Sequence, residues 1–294
     1  MNKTKLILNA LQNFADSVTE KMSQPTRGEP EDQLITPFEN LMKDDVAEAM
    51  NWKIVCNGKP HLTEDLGIPD FALHRNKLLS GYAELKAPGK GALASRFTGH
   101  DRDQFSRFKV IPNILYSDGN EWALYRNGEL VDKVVRLSGD VTTEGFKAVT
   151  MEDAHAVERL LLDYFDWKPI LPLNRNGKID LKGFAEMLAP LCRMLRDAVI
   201  DALKNPNSPL IRLAQDWRQL LFPQAEDEQF ADSYAQTVTF ALLLGRTEGA
   251  EPLSLNSAEL TLKSQHNLLS RALMVLTDSG ENDEISASLN LLVR

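Results

Sequence analysis

With 294 residues, 43% of them apolar and 26% charged, the chain can bury a sizeable core and is long enough for two domains. A net charge of −9 argues against a broad basic coat for nucleic acid, and no run of about 18 apolar residues offers a membrane span. Two cysteines, Cys56 and Cys192, leave no disulfide framework and no thiolate zinc site, which favours a reducing cytoplasm.

The first elements are helical. Residues 5–22 place Leu8, Leu11, Ala15 and Val18 on one face. Pro25, Gly28 and Pro30 mark a loop, and Thr36-Pro37 is the expected start of a second helix carrying Phe38, Leu41, Met42, Val46 and Met50. From Trp52 to Leu137 short strands take over, at 52–56, 68–74, 78–86, 113–116, 121–126 and 130–137, with a polar helix at 100–109 among them. Asn127-Gly128 between two such runs is a strong hairpin signal. After Ser138-Gly139-Asp140 the pattern is helical: 151–167, 180–204 with a kink expected at Pro190, 209–222, 227–246 and 265–277. This shift sets the expected domains at residues 1–145 and 146–294.

The chemistry concentrates in two strands. Pro69-Asp70 opens one, and Glu84-Leu85-Lys86 closes the next before Ala87-Pro88-Gly89 ends it. Strand alternation puts Glu84 and Lys86 on one face, and the hairpin brings Asp70 beside Glu84. Two converging carboxylates suit a hard cation such as Mg²⁺, which lowers the pKa of a bound water and neutralises a phosphate. Lys86 can orient or deprotonate the nucleophile and stabilise the developing charge, since a lysine beside a metal is easily perturbed. Between Lys86 and Lys109 six Lys/Arg face two Asp, so a polyanion would be met just after this strand. The alternative for the same residues is a turn aspartate and a salt-bridged strand face.

The order of an acid-bearing helix, a Pro-Asp strand, a Glu-x-Lys strand and a Gln-bearing helix resembles the PD-(D/E)xK nuclease superfamily. More specifically, Glu84 to Gly89, the helix Asp103-Gln104-Phe105-Ser106-Arg107-Phe108, Pro112-Asn113-Ile114-Leu115 and Glu121 to Glu129 resemble one subgroup. It is the amino-terminal nuclease region of fused restriction endonuclease–adenine methyltransferases (Type IIG and Type ISP). Phe230 to Phe240 is similar to the helix preceding the methyltransferase in those proteins, so the likeness covers about residues 33–250.

The resemblance implies an α/β fold, a restriction-endonuclease-like mixed sheet flanked by helices, followed by an all-α connector domain. It implies Asp70, Glu84 and the Leu85 carbonyl as metal ligands, Lys86 as the catalytic lysine, Gln104 as the glutamine of a Gln-x-x-x-Tyr helix that supports the metal-bound water or the DNA backbone, and Glu39 as an auxiliary acid. Phe108 stands where the family has tyrosine. Mg²⁺ is the implied cofactor, with Mn²⁺ as substitute, and double-stranded DNA the implied substrate, in a cytoplasmic restriction–modification enzyme that defends against phage. No Asn/Asp-Pro-Pro-aromatic motif, Gly-rich cofactor loop or Walker motif is present. The methyltransferase and target-recognition domains are therefore expected elsewhere, in a longer polypeptide of which this chain would be an amino-terminal part. The alternatives are a catalytically silent nuclease-like scaffold and a free-standing repair nuclease.

Overall fold

A computed structural model describes residues 3–25, 28–60, 62, 66–76, 78–167, 174, 176, 178, 180–220, 222–250, 253–263, 270, 273, 285, 288, 289, 292 and 293. The chain divides into two compact units, Met1–Trp167 and Lys168–Arg294.

The first unit begins with α1, Lys3–Ser23, whose apolar stripe Ile7, Leu11, Phe14, Ala15 and Val18 is fully buried. Next comes α2, Asp32–Asn40, which passes through a π-helical turn at Leu41–Val46 into α3, Ala47–Met50. The helix thus starts before Thr36-Pro37 and carries Pro37 inside it. Burial of Leu34 and Phe38, one turn apart on the core side, outweighs the hydrogen bond that Pro37 cannot donate.

The sheet has seven strands and is mostly antiparallel. The strands are β1 Ile54–Gly58, β2 Phe71–Arg75, β3 Leu78–Leu85, β4 Ile114–Ser117, β5 Glu121–Arg126, β6 Glu129–Leu130 and β7 Val135–Arg136. Their order is β1-β2-β3-β4-β5-β6, with β7 also paired to β5. Among the described strands only β3 and β4 run parallel, joined by a crossover through α4, Gly99–Phe108. The expected strand at 130–137 is two short ones, separated where Asp132 adopts φ +58°. Asn127-Gly128 turns β5 into β6 as its residue types predict.

Close approach of β3 and β4 depends on Gly81. A Cβ there would lie 2.4 Å from the Asn113 carbonyl oxygen, which accepts the Tyr82 N–H at 3.0 Å. Asn113 Nδ2 in turn donates to the carbonyls of Ser80 and Tyr164, each at 2.9 Å.

The helix α5, Met151–Phe165, belongs to the first unit, so the boundary expected near residue 145 is corrected to Trp167. Its Val157, Leu161, Tyr164 and Phe165 complete the core formed by α1 and the inner sheet face. A capping box between Thr150 and Asp153 starts it.

The second unit is helical: α6 Leu181–Leu203, α7 Pro209–Leu220, α8 Asp227–Thr247 and α9 Leu255–Leu262. Leu195, Val199, Leu210, Phe230, Tyr234, Val238, Leu242 and Leu262 form its core. The helix α6 runs through Pro190, α9 was not expected, and the helix expected at 265–277 falls largely outside the described residues. No helix among the described residues is long and apolar enough to cross a membrane.

Candidate active site

The β2–β3 hairpin brings Asp70 to Glu84. With Phe71 opposite Ala83, the Asp70 N–H donates to Glu84 Oε2 at 3.3 Å, and Asp70 Oδ2 accepts the Leu85 N–H at 2.8 Å. Lys86 Nζ reaches Glu84 Oε1 at 2.8 Å. Glu84 and Lys86 therefore share a face, while Ala83 and Leu85 pack into the α1 core on the other. Glu84 is 3% exposed and Lys86 1%.

The crossover lays α4 over the Lys86 side of the sheet. Asp101, Gln104, Phe105 and Phe108 recur at i, i+3, i+4 and i+7, one stripe of the helix. Phe105 and Phe108 are buried, and Phe105 packs edge-on against Tyr116 and Tyr125. Gln104 Oε1 accepts from Lys86 Nζ at 2.6 Å, and Asp101 Oδ1 lies 3.4 Å from the same nitrogen. The stripe that marks Gln104 thus also marked Asp101, which sequence reasoning passed over.

Glu39 is not at this site. It pairs with Lys43 at 3.0 Å and lies two helical turns, about 12 Å along the axis, beyond the acid that is. That acid is Glu31, whose Oε2 accepts the Ala87 N–H at 3.0 Å and whose charge acts on both Asp70 and Lys86. Because the helix starts at Asp32, Glu31 precedes its first turn; no sequence signal marked it.

Electrostatics follow from burial. Glu84 is pushed up to about 7 by burial and by the neighbouring Asp70 charge, against the opposing pull of Lys86 and Gln104. Burial also raises Asp70, with Glu31 adding to the effect and the Leu85 amide and Lys86 opposing it. Burial alone would lower Lys86, but Glu84, Glu31 and Asp101 outweigh it and the ammonium is held above its ordinary range. For Asp101 burial is likewise overcome, by the hydrogen bond from Lys90 and the charge of Lys86, and the carboxyl is lowered. The site therefore contains a firmly protonated lysine and two carboxylates short of positive charge.

That shortage is the test for a divalent cation. Among the described residues no three His, Cys, Asp or Glu side chains cluster as a metal group, so a cation here would rest on Asp70, Glu84, backbone carbonyl and water. Such a donor set, all oxygen with few carboxylates, suits Mg²⁺. Behind Lys86 the Tyr116 hydroxyl is buried without a hydrogen-bond partner among the described residues, as is that of Tyr82 on β3. The Tyr116 ring centroid lies 6.0 Å from Lys86 Nζ.

No family model and no curated protein matches the chain. Among solved structures, one described as a cryoEM structure of a DrdV–DNA complex aligns over 97% of this chain, with 17% sequence identity and a TM-score of 0.38. The chain spans 26% of the length of that protein.

Proposed function

We propose that the first unit is a Mg²⁺-dependent endonuclease acting on double-stranded DNA. The observation that supports this best is the convergence of Asp70, Glu84 and Lys86 on one hairpin, with Gln104 delivered by α4. Asp70, Glu84 and the Leu85 carbonyl would hold the cation, and Mn²⁺ would serve in its place. When bound, Mg²⁺ supplies a Lewis acid at the phosphate and a water of lowered pKa.

The chain's own residues do the rest. Water attacks phosphorus and gives up one proton to bulk solvent, the P–O bond to the leaving sugar oxygen breaks, and that oxygen takes a proton from solvent. Lys86, held as an ammonium, lies where negative charge grows on the phosphate oxygens and stabilises it. A lysine kept charged by Glu84 and Asp101 is a poor base, which favours this role over proton abstraction. Gln104 Oε1 anchors the ammonium and so sets its direction. Tyr116 beside the ammonium, with Phe97 and Phe105 packed on its ring, excludes water and strengthens each charge.

The sequence resemblance supports a wider setting: a restriction–modification enzyme of the cytoplasm, in which methyltransferase and target-recognition domains work beside this chain.

The test is cleavage of duplex DNA with Mg²⁺ by wild type, Asp70→Ala and Lys86→Ala. Each variant should lose at least about 100-fold in rate, and unchanged cleavage in both would overturn the assignment.

A further inference from the structure

The loop that follows Lys86 is held by buried acids, and it carries an ammonium that no role yet explains. Asp118, 2% exposed in the β4–β5 turn, accepts four backbone N–H groups. Two come from the loop, Gly89 at 3.0 Å and Gly91 at 2.7 Å, and two from the turn itself, Asn120 at 3.0 Å and Glu121 at 2.7 Å. Glu121 Oε2 accepts the Ala92 N–H at 3.1 Å and pairs with Arg96. Tyr125 receives the Ala94 N–H at 2.7 Å and donates to the Ala92 carbonyl at 3.0 Å. The Lys86 N–H itself donates to the Ser117 carbonyl at 2.8 Å, so one hairpin fixes both the strand end and the loop beyond it.

The four bonds to a buried carboxylate are an expensive arrangement for a mere connection, since Asp118 is desolvated and spends every bond on backbone. What they position is Lys90. Its Nζ lies 2.8 Å from Asp101 Oδ2, while Asp101 Oδ1 lies 3.4 Å from Lys86 Nζ. One two-oxygen anion thus already spans both ammonium groups. A phosphodiester presents a similar pair of non-bridging oxygens. Lys86 is enclosed, but the Lys90 side chain is 48% exposed and open to a ligand from solvent.

We propose that Lys90 is a second phosphate-binding cation of this site, exchanging Asp101 for a DNA phosphate, and that Asp118 is the residue that positions it. This rests on the nuclease reading above.

The experiment measures binding of a short fluorescein-labelled DNA duplex by the full chain in EDTA across a salt series, and cleavage kinetics with Mg²⁺. Lys90→Gln should weaken binding about three- to tenfold at low salt and reduce the salt slope by about one. In cleavage the loss should fall on KM more than on kcat, and Lys90→Arg should restore most of it. Asp118→Asn should weaken binding in the same way. Gly91→Ala gives a second disturbance of the loop if the Asp118 variant fails to fold: at φ +74° its Cβ would sit 2.7 Å from Glu121 Oε2. Either change should add little once Lys90 is Gln, because positioning acts through that side chain. Wild-type affinity and slope in Lys90→Gln would overturn the inference while leaving the nuclease assignment standing. Unchanged cleavage in both Asp70→Ala and Lys86→Ala would instead overturn the assignment.

Discussion

At the scale of single residues, burial governs the titratable groups of the first unit. Glu84, Asp70 and Lys86 are all displaced from their ordinary pKa values. Burial raises Glu84, with Asp70 adding to it, and burial raises Asp70, with Glu31 adding to it. The burial that would lower Lys86 is outweighed by Glu84, Glu31 and Asp101. Cys56 shows the same physics away from the site. Burial, followed by the Glu39 charge, pushes its thiol up to about 12. At pH 8 it is therefore a thiol and a poor nucleophile. In a Cys192→Ser protein, reaction with iodoacetamide should be slow at pH 8 and rise about tenfold per pH unit toward 10; reaction at the rate of a free cysteine at pH 8 would contradict the burial argument. Asp70, Glu84 and Lys86 were legible in sequence because strand alternation and a hairpin are local rules. Glu31, Asp101 and Asp118 were not chosen. Glu31 and Asp118 reach the site or its loop across folds of the chain, 56 residues apart for Glu31 and Ala87.

At the scale of elements, the parallel β3–β4 pair decides where α4 and Gln104 lie, and Gly81 decides how closely that pair approaches. Gly81→Ala forces a methyl against the Asn113 backbone, which cannot withdraw without breaking the Tyr82 and Tyr164 bonds. It should destabilise the first unit by about 1–3 kcal/mol in urea titration, and a midpoint shift near zero would show that the pair can open at little cost. The α5 capping box offers a smaller effect. Thr150→Ala should cost about 1 kcal/mol, because it frees the Asp153 amide at the helix start. The start of α2 shows where local rules fail. Thr36-Pro37 has the composition of a helix start, yet burial of Leu34 and Phe38 extends the helix backward to Asp32. That shift is what removes Glu39 from the site and puts Glu31 there.

At the scale of the whole molecule, the change from strand-rich to helix-rich sequence near residue 140 does not coincide with the change of core. The helix α5 is the first long helix after the strands, but its apolar stripe fills the α1–sheet core. A protein ending at residue 145 should expose that core and lose its cooperative thermal transition, whereas one ending at Trp167 should keep it. Equal, cooperative melting of the two would overturn the boundary. The net charge of −9 and the short basic segment between Lys86 and Lys109 also belong to this scale. On the nuclease reading, DNA affinity should be weak at low salt and its salt slope shallow, since few cations pair with phosphates and the net charge repels the polyanion.

By itself the sequence determined the element types, the strand-then-helix order and the pairing of Asp70 with Glu84 and Lys86. These depend on periodicity, turn chemistry and neighbours a few residues apart. Only the tertiary structure decided which helix acid faces the site, that Asp101 joins Lys86 to Lys90, that Asp118 holds the intervening loop, and that α5 belongs with the sheet. Those outcomes depend on which buried faces meet, and apolar surface seeks cover without regard to separation along the chain.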